Sequence, residues 1–226
     1  MFTPTASIKR PFEQIKDDFC YQGLGGTIIT TGASFDYGTD GMTHHGPADV
    51  PILRHLPRME IVVPGTASEL ETLLRETYAD GAPTYVRLSA RENESDRPVR
   101  FGRLHVERQG REATILAIGP MLQPTLDAVQ GLDVTVLYAT TVSPFDRETL
   151  RECAVTTGNS LMLIEPYYEG TLVSEVVAAM GSVRMEAIGV PRRVVERYGP
   201  PERFESEIGL DSRGIRRRVE VFLRGS

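Results

Sequence analysis

Two adjacent histidines, His44 and His45, share a Gly/Pro-rich stretch with the carboxylates Asp40 and Asp49: Gly38-Thr39-Asp40-Gly41-Met42-Thr43-His44-His45-Gly46-Pro47-Ala48-Asp49-Val50. An imidazole titrates near neutral pH, so it can move a proton at a reacting oxygen or donate a hydrogen bond to an oxyanion. Glycines around it let the backbone approach a ligand closely. The same composition also suits a turn in which Asp and Thr cap the next helix and the histidines face solvent. The residues of the stretch leave both readings open.

The elements around this stretch must hold it in place. A helix is predicted over 11–22, where Pro11 suits the first turn and Phe12, Ile15 and Phe19 recur at three and four residues; Gly23 and Gly25 stop it. The β-branched run 27–31 predicts a buried strand leading into the loop, and 59–64 and 84–88 predict two more. Between them Thr66 predicts an N-cap, with Glu69 as its capping-box partner and Leu70, Leu73, Leu74 and Tyr78 as the inner stripe of a helix to about residue 79. The polar, proline-broken segment 94–100 reads as a linker. Beyond it, strands at 114–119, 134–138 and 161–165 and an edge at 187–191 alternate with helices at 123–129, 146–155, 171–180 and 211–223. Such alternation with short connections predicts an α/β chain of two domains, 1–98 and 99–226, each a mainly parallel sheet flanked by helices.

Composition excludes some functions. The chain has 226 residues and a formal charge of −6, enough for one or two sizeable cores and without a basic patch that asks for nucleic acid. The arginines between Arg213 and Arg218 are expected to form the solvated face of a terminal helix. Cys20 and Cys153 lack ligand-type spacing and read as buried free thiols in a reducing cytosol. No apolar run reaches membrane-spanning length, and the N-terminus lacks a signal-peptide layout.

The series Asp40-Gly41-Met42-Thr43-His44, a short acidic helix, and Leu53-Arg54-His55-Leu56-Pro57 resembles the pyrimidine-binding domain of transketolases and 1-deoxyxylulose-5-phosphate synthases. The likeness continues through Ser143-Pro144-Phe145-Asp146, Glu165-Pro166-Tyr167, Ile188-Gly189-Val190-Pro191, Tyr198-Gly199 and Gly209-Leu210-Asp211, in order and over nearly the whole chain. It implies ketol transfer with thiamine diphosphate and Mg2+, in which the cofactor supplies the electron sink and the protein supplies proton transfer and orientation. By that resemblance His44 acts at the substrate carbonyl and Asp40 binds a sugar hydroxyl. Arg91 grips the sugar phosphate, although it could also pair with Glu92 or Glu94. His45 is a further substrate-side candidate or a packing residue, and His55 and His105 are structural.

Departures from the pattern are as informative. The family's cofactor-activating glutamate lies upstream of the region matched here, and Glu13 falls on the helix after it. The aromatic residues that stack on the pyrimidine leave only Phe2 and Phe12 as candidates, and a further substrate histidine is replaced around Gly32. The Gly-Asp-Gly…Asn-Asn diphosphate and metal motif is absent. The resemblance therefore implies a cytoplasmic transferase subunit, a homo- or hetero-oligomer, whose partner carries the diphosphate-binding domain. Its alternatives are a non-catalytic relative, or a deoxyxylulose-phosphate synthase or 2-oxo-acid dehydrogenase beta-type enzyme; the Thr43-His44 pair and Arg91 favour the sugar chemistry over the dehydrogenase.

Overall fold

The computed structural model describes residues 2–225. In the first half, β1 (Phe2–Pro4), β2 (Gly26–Thr31), β3 (Glu60–Val62) and β4 (Pro83–Arg87) alternate with α1 (Phe12–Gln14), α2 (Asp49–Leu53) and α3 (Ala67–Thr77). The second half carries β5 (Leu104–Arg108), β6 (Thr114–Ile118), β7 (Thr135–Ala139), β8 (Thr141–Ser143), β9 (Ser160–Tyr168) and β10 (Arg184–Val190). Its helices are α4 (Leu122–Ala128), α5 (Arg147–Val155), α6 (Val173–Met180), α7 (Pro201–Ile208) and α8 (Ser212–Arg224). The strands form two five-stranded sheets, ordered β1-β2-β4-β3-β8 and β10-β9-β6-β7-β5. Within each, four strands are parallel and one edge strand is antiparallel: β8 against β3, β5 against β7. This is the two-sheet α/β architecture that the alternation of elements predicts.

Every residue of β4, β6 and β7 is buried, as expected of parallel strands covered on both faces. Thr66 caps α3 by accepting the Glu69 N–H. The return bond of the box goes one residue further back, from Gly65 N–H to Glu69 Oε2 at 2.8 Å. The stripe ends sooner than predicted, since Tyr78 lies past the last turn of α3 and is 73% exposed. The helix expected over 11–22 is α-helical only at Phe12–Gln14, then widens into a π-helical stretch over Ile15–Tyr21.

The second half departs at its edges. β5 and α7 fall where the sequence pattern predicts neither strand nor helix. β8 leaves its own half and pairs with β3, supplying the first sheet with its fifth strand. The terminal helix also corrects an expectation. Arg216 donates to the carbonyls of Ala128 and Gln130 at 3.0 and 2.7 Å, and Arg218 bonds Glu186 and the Ala187 carbonyl, so the first docks α8 on the end of α4 and the second on β10, while Arg213 and Arg217 stay exposed.

Candidate active site

The histidine loop leaves the end of β2 and is pinned at its base. Ser34 and Gly46 form an antiparallel bridge, with Gly46 N–H donating to the Ser34 carbonyl at 2.8 Å. Gly32 has φ +79°, and a Cβ there would fall 2.0 Å from the Tyr37 ring, so the turn requires glycine. Two 3₁₀ turns follow, Gly38–Asp40 and Met42–His44, and they present Asp40, Thr43 and His44 to solvent. The His44 ring Nδ1 lies 3.1 Å from Thr43 Oγ1.

His45 turns the other way. It is only 6% exposed, and its ring meets Phe35 edge-on at 5.0 Å and Phe204 of α7 at 5.4 Å; Phe35 and Phe204 stack at 4.8 Å. Burial, and then the neighbouring His44, lower its pKa, so His45 is neutral at physiological pH. Adjacent histidines thus have opposite environments, one wet and one in an aromatic clamp between the two halves.

Beneath the loop lies a group of residues that the sequence did not single out together. Asp49 is part of the first turn of α2 and is fully buried with Arg87 of β4; Arg87 Nε donates to Asp49 Oδ2 at 2.7 Å. Tyr85 Oη donates to the same oxygen at 2.6 Å, and Thr30 and Thr5 extend the chain of hydroxyls. Arg87 Nη2 reaches Ser34 Oγ, the Gly46 carbonyl and, across to β9, the Pro166 carbonyl at 3.0–3.3 Å. Burial opposes the charge on Arg87, but Asp49, Tyr85 and Asp36 together outweigh it and raise the guanidinium pKa. Asp49 therefore braces the loop rather than capping a helix. The available signal was Arg87 within a strand of otherwise uncharged residues, because a charge in a covered parallel strand needs a partner.

Arg91 follows β4 and its guanidinium pairs with Glu205 of α7, not with Glu92 or Glu94. Burial pushes the Glu205 carboxyl up to about 7, against the pull of the Arg91 charge. Asp36, in the loop, accepts Ala90 N–H at 2.8 Å and Ser89 Oγ at 3.3 Å, so it ties the 89–91 segment to the His44 loop. Of the candidates named from sequence, Asp40, His44 and Arg91 thus stand on two segments joined by Asp36. Phe12 instead packs against the first core, and the side chain of Phe2 lies outside the described residues.

Two family models match the chain: the transketolase pyrimidine-binding domain over residues 1–94 and the transketolase C-terminal domain over residues 102–215. The chain belongs to the transketolase family. It is 34% identical over 96% of its length to an uncharacterized 33.6 kDa protein in the fasciation locus of Rhodococcoides fascians, covering 70% of that protein. It is 32% identical over 96% of its length to 1-deoxy-D-xylulose-5-phosphate synthase 1 of Geobacter metallireducens, of which it spans only 37%. Among solved structures, a split-gene transketolase described as an inactive beta4 tetramer matches with a TM-score of 0.86 and 27% identity, over 99% of this chain and 75% of that one. Transketolase from Campylobacter jejuni shares the fold, with a TM-score of 0.81 at 16% identity over 97% of this chain and 35% of that one.

Members of this family use thiamine diphosphate. Glu13 is exposed and pairs with Lys16, and Phe12 is partly buried against the first core. Among the described residues no group of three or more His, Cys, Asp and Glu side chains could hold a metal ion. No helix among them is long and apolar enough to cross a membrane.

Proposed function

We propose that this chain is the C-terminal subunit of a split transketolase, active in ketol transfer between sugar phosphates only when a partner chain brings the diphosphate-binding domain, with thiamine diphosphate and Mg2+ held mainly by that partner. The observation that carries the reading is the exposed Asp40–His44 edge of a loop braced from below, in a chain resembling a split-gene transketolase over 99% of its length. A rigid scaffold under an exposed polar edge suits a half-site that a second chain completes. In that complex His44 moves the proton at the sugar carbonyl oxygen, and Asp40 accepts a sugar hydroxyl. Arg91 exchanges Glu205 for the substrate phosphate, which its planar fork binds in two-pronged fashion.

The test is reconstitution with a chain bearing the diphosphate-binding domain, followed by ketol-transfer kinetics. Each chain alone should be inactive and the mixture active; no activity in the mixture would remove the reading. Arg91→Lys should raise the Michaelis constant for phosphorylated acceptors and leave short unphosphorylated ones unchanged, because the phosphate is bound alike in ground and transition states. Glu205→Gln should lower the same constant by freeing Arg91. A second reading, synthase-type condensation, is favoured by the 32% identity to the Geobacter synthase. It is distinguished by offering pyruvate as donor: turnover with pyruvate and none with a ketose phosphate would select it.

A further inference from the structure

A cavity of about 280 Å³ opens between the His44 loop and the segment that follows β10. Its lining includes Lys9, Arg192 and Arg193 but no carboxylate, in a chain whose formal charge is −6. Among the described residues, none of these three side chains forms an ion pair or a side-chain hydrogen bond, whereas most arginines of this chain are paired. Phe35 and Val190, 2% and 1% exposed, give the cavity an apolar floor.

His45 supplies the independent observation. It lines this cavity and is more than nine-tenths buried, and its ring Nε2 has no hydrogen-bond partner. A buried polar atom without a partner costs free energy unless something satisfies it. Three unneutralised cations, one buried ring nitrogen and an apolar floor match a ligand with an anionic head and a compact apolar body.

We infer that the cavity between the His44 loop and the 190–195 segment is a binding site for a small organic phosphate ester, its phosphate held by Lys9, Arg192 and Arg193 and its apolar body seated on Phe35 and Val190 against the His45 ring. Lysine and arginine are strong partners for phosphate oxygens. The aromatic clamp links the site to α7 through Phe204, so an occupant braces the loop from beside the clamp.

The experiment uses the purified full chain, without any partner, and two probes: phenyl phosphate and inorganic phosphate, titrated by calorimetry and by the NMR signals of the His45 ring. Phenyl phosphate should bind saturably and about tenfold more tightly than inorganic phosphate, because its ring leaves water. Both affinities should fall as ionic strength rises. The Arg192→Ala/Arg193→Ala double variant should weaken phenyl phosphate more than about tenfold. His45→Phe, which keeps an aromatic ring in the clamp and removes Nε2, should weaken it further while the melting temperature is held. Absence of saturation, equal affinity for the two probes, or indifference to the double variant would overturn the site. Loss of binding in Arg91→Ala with the double variant unaffected would move the phosphate to the substrate loop and also overturn it. None of these outcomes depends on reconstituted ketol transfer, so the two proposals fail separately.

Discussion

His44 and His45 are neighbours in sequence, yet a substitution at each should be read by a different instrument. In the reconstituted enzyme His44→Ala should lower turnover by about 10² to 10⁴-fold, the usual contribution of a general acid or base, while the melting temperature barely moves, since the ring is exposed. His45→Ala empties the clamp between Phe35 and Phe204 and should cost about 2–4 kcal/mol in chemical denaturation, in line with truncating a buried ring. Its depressed pKa also has a sign. The folded ring resists protonation, so its contribution is intact above the unfolded value and stability declines as pH falls through about 6.5. Glu60 works in the opposite sense. Burial, with Asp80 adding to it and the Thr84 hydroxyl opposing it, pushes its carboxyl up to about 7. The protonated form is therefore the native one, and its stabilisation is present below about 4.5 and lost as pH rises through about 7. Thermal melts at several pH values should show Glu60→Gln losing less stability than the parent over that window. The sequence placed both histidines in one loop and went no further, because which way a ring turns is decided by Phe204, far along the chain and in a helix no periodicity announced.

At the scale of elements, what could be read was local and what was missed was not. Thr66 and Glu69 are three residues apart, so a capping box is legible from their spacing alone. What Glu69 does beyond the cap is not. Its carboxylate also accepts Tyr138 Oη at 2.6 Å and Arg97 N–H at 3.1 Å, joining α3 to β7 and to the segment between the halves. Glu69→Ala should therefore cost more than Thr66→Ala, for which about 1 kcal/mol is usual, because it strands a buried tyrosine hydroxyl and a backbone N–H as well. Urea denaturation of the two variants side by side checks the order; equal losses would reduce Glu69 to an ordinary cap partner. β8 escaped for a related reason. Three residues, Thr141–Ser143, carry too little alternation to declare a strand, and their partner β3 lies in the other half.

For the whole molecule, the Asp49–Arg87 pair matters more than any surface contact. It joins α2 to β4, and through the Pro166 carbonyl it joins the first sheet to β9. Removing one partner leaves the other charged in a dry interior. Arg87→Met should destabilise by about 3–5 kcal/mol, and the Arg87→Met/Asp49→Leu double change should recover part of that loss. Denaturation of these two variants and of Asp49→Leu alone tests the coupling, and additivity of the single losses would argue against it. The α/β alternation was legible because parallel strands and their crossover helices are coded within short windows, in runs such as Thr114–Ile118 and the helix capped by Asp211. The ion pair spans 38 positions and leaves no periodic trace, so only the incongruity of an arginine in a buried strand hinted at it.

The fifth strand of the first sheet carries a consequence for how this architecture can be cut and rejoined. A fragment ending near residue 98 would keep β1 to β4 yet lack β8, leaving β3 with an open flank that Ile61 and Val62 make apolar. Such a flank recruits whatever strand is at hand, and the nearest donor is the same segment of another copy, so the severed half is prone to strand exchange and aggregation. A cut between the two sheets thus separates the first sheet from its own border strand, so the two halves hold their shape only as one piece.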